Sequence, residues 1–401
     1  MTSHPLALFA SILLALGFSD MAMDVIATDS PQVPAGELVG PGIISSGWQE
    51  TSAALTRDRR TLYFMRSNVS GYDNTIMVSQ RKGPVWSMPQ VASFSGEWHD
   101  SEPTLSPDGR RLYFVSNRPL QPGGAPVTAS MLGQHFPGKN LWYVERQPDG
   151  RWGAPVHVDG ALNHGSMIYN PSVAANGNLY FSAHREDSGR AYQIYVARRQ
   201  GEGYAEPERL PLGDIEHGRM DPAIDPQERF LVYAGNEGDS LGSADIYIVF
   251  RQPDGSWGKP EHLEGDVNSF MQENAPSLGP DFGELYVSST RASETPFPKS
   301  RDDIESLNRR LQQPLNGLRN LWRFDISDVL LAHGIARDAP SSASRQDGGP
   351  AACTADAPAV VAMDTRESHS ISSSLSEPLH AARSPVSGDI DLPEHAPQHS
   401  T

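Results

Sequence analysis

Apolar and polar residues follow one another along this chain in short runs, and the runs come in pairs. Glu102 to Asn117 shows the unit. Thr104 and Leu105 close one run at Ser106, Pro107-Asp108-Gly109 follows, and Leu112-Tyr113-Phe114-Val115 forms a β-branched and aromatic second run. Proline presets φ for a turn, aspartate bonds its own backbone, and glycine accepts positive φ. The pattern predicts a tight hairpin. It recurs from Gln49, Met167, Gly218 and Gln272, with the copy at Met167 one residue short in its turn. Successive copies start about 50 residues apart, or 68 after the copy at His99. A period near 50 with several strands per unit predicts sheets arrayed around an axis.

A third run follows each hairpin, beginning at Asn74, Asn140, Gln193, Asp245 and Asn320. A fourth follows four of them. It carries an aromatic residue, then a proline, then an apolar end: Trp86 and Pro89, Trp152 and Pro155, Tyr204 and Pro207, Trp257 and Pro260. Proline cannot donate to a ladder, so this strand belongs at a sheet edge. The three tryptophans read as packing within the blades. The fifth repeat lacks a fourth run, whereas Gly36-Glu37-Leu38-Val39 precedes the first repeat and parallels Pro260-Glu261-His262-Leu263. The N-terminal strand is therefore expected to complete the last sheet, which removes an exposed edge. The fold class is all-β: a single β-propeller of four-stranded blades over 36–334, with five blades, or six if one is degenerate.

Two insertions, 119–138 and 292–318, fall between second and third strands. The latter carries a predicted short helix over 302–311, with acids early and arginines late. Residues 335–401 lack an apolar period and read as a disordered tail. Leu6 to Phe18 is too short to span a bilayer but matches the apolar core of a secretory signal, so 1–22 is expected to be a leader and the chain exported, periplasmic or secreted. No later segment reads as transmembrane. A formal charge of −17 argues against a nucleic-acid partner. The lone Cys353 rules out an internal disulfide or a cysteine-based metal site. The histidines show no zinc spacing.

The hairpins resemble the WD40-like repeat of the TolB family. Ser106-Pro107-Asp108-Gly109, Leu112-Tyr113-Phe114 and Asp245-Ile246-Tyr247 carry the likeness, which spans about 300 residues. The resemblance implies a propeller. It does not carry over that family's partners, because the family's N-terminal α/β domain is missing and five repeats stand where the family has six.

Connectivity places both insertions over the mouth where the innermost strands begin. Around that mouth the repeat columns bring Glu50, Asp100 and Glu273 at one level with Arg219, and Glu102 and Asp221 two residues further on, with Tyr169 beside them. Residues i and i+2 share a strand face, so these side chains are candidates to converge on the axis. Close carboxylates ask for a cation or a shared proton. They suit a hard cation such as Ca²⁺, a glycan gripped or cleaved between paired acids, or an ordinary solvated rim in an acidic chain; Arg219 also suits neutralisation of Asp221 or Glu273. Two functional expectations result: a propeller binding module for a protein segment or glycan, and a carbohydrate-active enzyme. The sequence carries no nucleophile elbow, phosphate loop or Ser/His/Asp pattern.

Overall fold

The computed structural model describes residues 31–336 except Ser70, Tyr72, Leu132 and Gly133; the leader and nearly all of the tail lie outside the described residues. The five expected hairpins are present: Gln49–Leu55 with Thr61–Ser67, Asp100–Leu105 with Arg111–Ser116, Tyr169–Val173 with Leu179–Ala183, Arg219–Ile224 with Phe230–Gly235, and Glu273–Leu278 with Glu284–Ser289. Each gains a third antiparallel strand and a short outer one, giving five sheets. The first strand of every sheet packs against the first strands of the sheets before and after it, and the fifth meets the first. This is a five-bladed propeller.

The outer strands show why the proline recurs. In the second blade the chain makes a one-residue bridge from Arg146 to Trp152, breaks at Pro155, and pairs again through Val156 and His157. The same break separates Trp86 from Gln90 and Trp257 from Glu261. Proline sits in the gap, where no ladder donor is needed. The last blade is completed as expected, with Glu37 opposite Arg323 and Leu38 opposite Trp322. The N-terminal anchor starts earlier than the repeat pattern indicates: Val33 is buried and bridges Gly265 of the fourth blade.

The core lies between blades. Tyr63, Phe94, Phe114 and Trp142 fill the first interface, and Trp152 joins them by donating to the Tyr63 hydroxyl at 2.8 Å. Phe181 and Tyr195 lie in the second interface, Tyr233 and Tyr247 in the third, and Phe230, Val287 and Phe324 in the fourth. Phe64, Ile44 and Leu321 close the ring. Each such buried side chain contributes about 1.5–3 kcal/mol. The helix expected in the second insertion spans Ile304–Leu311, with Asp303 accepting from the Ser306 amide at 2.7 Å. The elements without signal in the hydrophobic pattern include a hairpin in the first insertion, Thr128–Met131 with Gln134–Pro137, and a helix Ser327–Ala332 that buries Val329 and Leu330.

Candidate functional site

Every innermost strand is broken by a bulge at one level. Pairing skips from Thr51 to Ala54, Ser101 to Thr104, Tyr169 to Ser172, Met220 to Ala223 and Asn274 to Ser277. The first skipped residue has a left-handed φ each time: Ser52 55°, Glu102 58°, Asn170 41°, Asp221 57° and Ala275 47°. None is glycine, so each conformation is strained, by about 1–3 kcal/mol, and is held by the surrounding sheet. At four bulges the next residue is proline, which brings no unpaired N–H.

The bulges join these residues across the axis. The Ser52 hydroxyl donates to Asn170 Oδ1 at 3.1 Å. Asn170 donates its amide to Glu102 Oε2 at 2.7 Å and its Nδ2 to Asp221 Oδ1 at 2.6 Å. Asp221 Oδ2 accepts from the Ala275 amide at 2.9 Å, and Lys139 Nζ lies 2.6 Å from Glu102 Oε1. The same ammonium stands 4.1 Å over the Tyr169 ring, which meets Tyr192 edge-on. Both axial carboxylates thus have both oxygens engaged. Burial, reinforced by the charge of Glu102, pushes Asp221 up to about 6. Burial also raises the Tyr169 hydroxyl.

Of the residues singled out in the sequence, Glu102, Asp221 and Tyr169 meet in this cluster. The others take different positions. Glu50 turns back to accept from the amide and hydroxyl of Ser46, at 3.0 and 2.6 Å, and from Arg66 and Asn320. Glu273 repeats that geometry with Ser269 and adds the Ser289 hydroxyl. Asp100 is buried against Arg118 at 2.7 Å. Arg219 forms a two-pronged pair with Glu237 and donates to the Asp214 carbonyl. The reason is the bulge: i and i+2 share a face only in a regular strand, and the extra residue rotates the second position inward while the first stays against its own blade. Among the described residues, no three or more His, Cys, Asp and Glu side chains form a group able to hold a metal ion.

The ring also contains residues that were not singled out. Lys139 directly follows the first insertion. Arg319 directly follows the second and donates to Gln49 Oε1 at 2.9 Å and Gln272 Oε1 at 2.7 Å. A signal existed: each insertion is followed at once by a basic residue and then Asn-Leu-Trp.

Around this polar centre the loops of the upper face, where inner strands begin, expose apolar side chains. Trp48 is 56% exposed, Phe270 87% and Phe297 78%. Val69 and Leu241 stand exposed in the second-to-third-strand loops of the first and fourth blades. Among the described residues no helix is long and apolar enough to cross a membrane.

No family model matches the sequence. No curated protein matches it either. Solved structures are similar to it at low identity. TolB from Acinetobacter baumannii is 12% identical over 69% of this chain and 56% of its own, with a TM-score of 0.38. A thermostable family-43 glycoside hydrolase is 13% identical over 65% of this chain and 86% of its own, with a TM-score of 0.42. An alpha-L-arabinofuranosidase from Lactobacillus brevis is 12% identical over 69% and 90%, with a TM-score of 0.45. This chain thus spans little more than half of the first.

Proposed function

We propose that this propeller is a binding module that takes a protein segment across its upper face. The observation that carries this reading is the gathering of exposed aromatic and aliphatic side chains, Trp48, Phe270 and Phe297 foremost, on the loops of one face around a polar centre. Scattered exposed apolar residues are ordinary, but large ones collected on one face mark interaction surfaces. Aromatic anchors with a polar middle suit a peptide with alternating apolar and polar positions. The chemistry of the centre supports binding over hydrolysis. A glycosidase needs one carboxyl to give a proton and another to face water or the sugar, whereas Glu102 and Asp221 are bonded to protein donors at every oxygen. The apolar run from Leu6 to Phe18 supports an exported setting for this activity.

Selection of short random peptides on the immobilised chain, beside an oligosaccharide panel with product detection, tests the reading. Enriched peptides should lose about tenfold or more in affinity with Trp48→Ala/Phe270→Ala, a loss of about 1.4 kcal/mol or more, while the melting temperature holds. Undiminished binding by that variant, or sugar released from an oligosaccharide, would overturn it.

A further inference from the structure

Below the ring the channel opens into a funnel of about 520 Å³ on the opposite, lower face, where the hairpin turns lie. Ser52, Glu102 and Asn170 line its inner end. Leu55, Leu105, Val173, Ile224, Leu278 and Phe282 give its wall an apolar part, alongside polar residues such as Thr104, Ser172 and Ser277. Arg57, Arg110 and Arg146 line it near the turns, and all three are exposed. Many of the other arginines are ion-paired, among them Arg59 with Asp281 and Glu284, Arg118 with Asp100 and Arg219 with Glu237. Among the described residues these three have no ion-pair partner. Asp58 and Asp108 line the same funnel and feel the charge of Arg146 and Arg110, but neither forms an ion pair with a guanidinium of the three, because each is turned into its own hairpin. Asp58 Oδ1 accepts from the Thr56 hydroxyl at 2.6 Å and the Arg60 amide at 3.0 Å; Asp108 Oδ1 accepts from the Ser106 hydroxyl at 2.6 Å and the Arg110 amide at 3.0 Å. Arg110 and Arg146 are tied side by side through the Arg146 amide and the Arg110 carbonyl at 2.8 Å.

We infer that the lower funnel binds a small amphipathic organic anion, its apolar body inside the channel and its anionic group among Arg57, Arg110 and Arg146. The volume is that of a small-molecule site, which is apolar with a few polar groups fixing orientation. Guanidinium groups hold carboxylate, sulfonate or phosphate through paired, charge-assisted hydrogen bonds. In a chain of charge −17, three guanidinium groups outside any ion pair outnumber the two carboxylates, Asp58 and Asp108, at this mouth and give the charge complementarity such a ligand requires. This site is independent of the upper-face reading.

Two probes of the same aromatic body test it on the full chain: 8-anilinonaphthalene-1-sulfonate, which is anionic, and N-phenyl-1-naphthylamine, which is neutral. The sulfonate should bind one to one and about tenfold or more tighter than the amine. Arg57→Gln/Arg110→Gln/Arg146→Gln should abolish that preference and leave the amine unchanged, and its exposed positions leave the fold intact. Ser277→Trp, which fills the channel, should weaken both. A preference for the sulfonate that survives the glutamine variant, amine binding lost in that variant, or sulfonate binding lost in Trp48→Ala/Phe270→Ala on the opposite face would each overturn the assignment.

Discussion

Asp221 is held at the axis with a proton affinity higher than the same residue has in an unfolded chain. Its carboxyl is pushed from 3.8 to about 6, by burial first and by the charge of Glu102 second. Between those values the folded chain keeps a proton that the unfolded chain has released. The stabilisation linked to that proton is complete below about pH 3.8 and is lost as pH rises through about 6. The whole effect is on the order of 3 kcal/mol. Asp221→Asn mimics the protonated form. Asn170 Nδ2 and the Ala275 amide both donate to this carboxyl, so the variant loses one of those bonds at every pH. The burial argument therefore predicts the trend: thermal melts should show the wild type losing stability relative to the variant between pH 4 and 7, and a constant difference would contradict it. Individual residues were only partly legible. Glu102 and Asp221 stood out because they share an alignable column, and Tyr169 as a neighbour of that column. The rotation that separates them from Glu50, Asp100 and Glu273 was hidden, since a left-handed φ at serine, glutamate or asparagine leaves no composition mark as glycine would.

At the scale of elements, the two insertions act inward as well as outward. Each delivers a basic side chain to the centre just before its third strand resumes, Lys139 to Glu102 and Arg319 to two glutamines. Lys139 and Glu102 are 9% and 7% exposed, so removing one leaves a charge buried without its counterion. Lys139→Met should cost about 3 kcal/mol in denaturant unfolding, and Glu102→Gln in the same chain should recover most of it. A cost that the second substitution leaves unchanged would mean that lysine packing, not charge, is what matters. Element positions were legible because the hairpin turns and third strands repeat their residue types. The hairpin of the first insertion was not, since Thr128–Met131 and Gln134–Pro137 lie in a Pro- and Gly-rich stretch and occur only once.

For the whole molecule, the number of blades was readable from the five hairpin copies, and the way the ring is completed from one surplus strand and one missing strand. Completion depends on close packing: Gly36 lies so near the Phe324 ring that a Cβ there would overlap it. Gly36→Ala should lower stability by about 1–3 kcal/mol, measured by urea unfolding, and an unchanged midpoint would show that the N-terminal strand adds little. The polar ring separates a broad upper face from a narrow lower funnel, so the two proposed sites are chemically unlike and separately mutable.

Glu37 and Arg323 touch although they are 286 positions apart in the sequence. During synthesis the earliest strand of the propeller must wait for its neighbour while the rest is made, for some tens of seconds at the usual pace of translation. Through that interval the first blade has one dry side and one wet side. Any second copy offering its own Glu37–Leu38 then competes for the same place. How crowded the newborn chains are therefore governs whether they finish as single rings or as partners that have traded their opening strands.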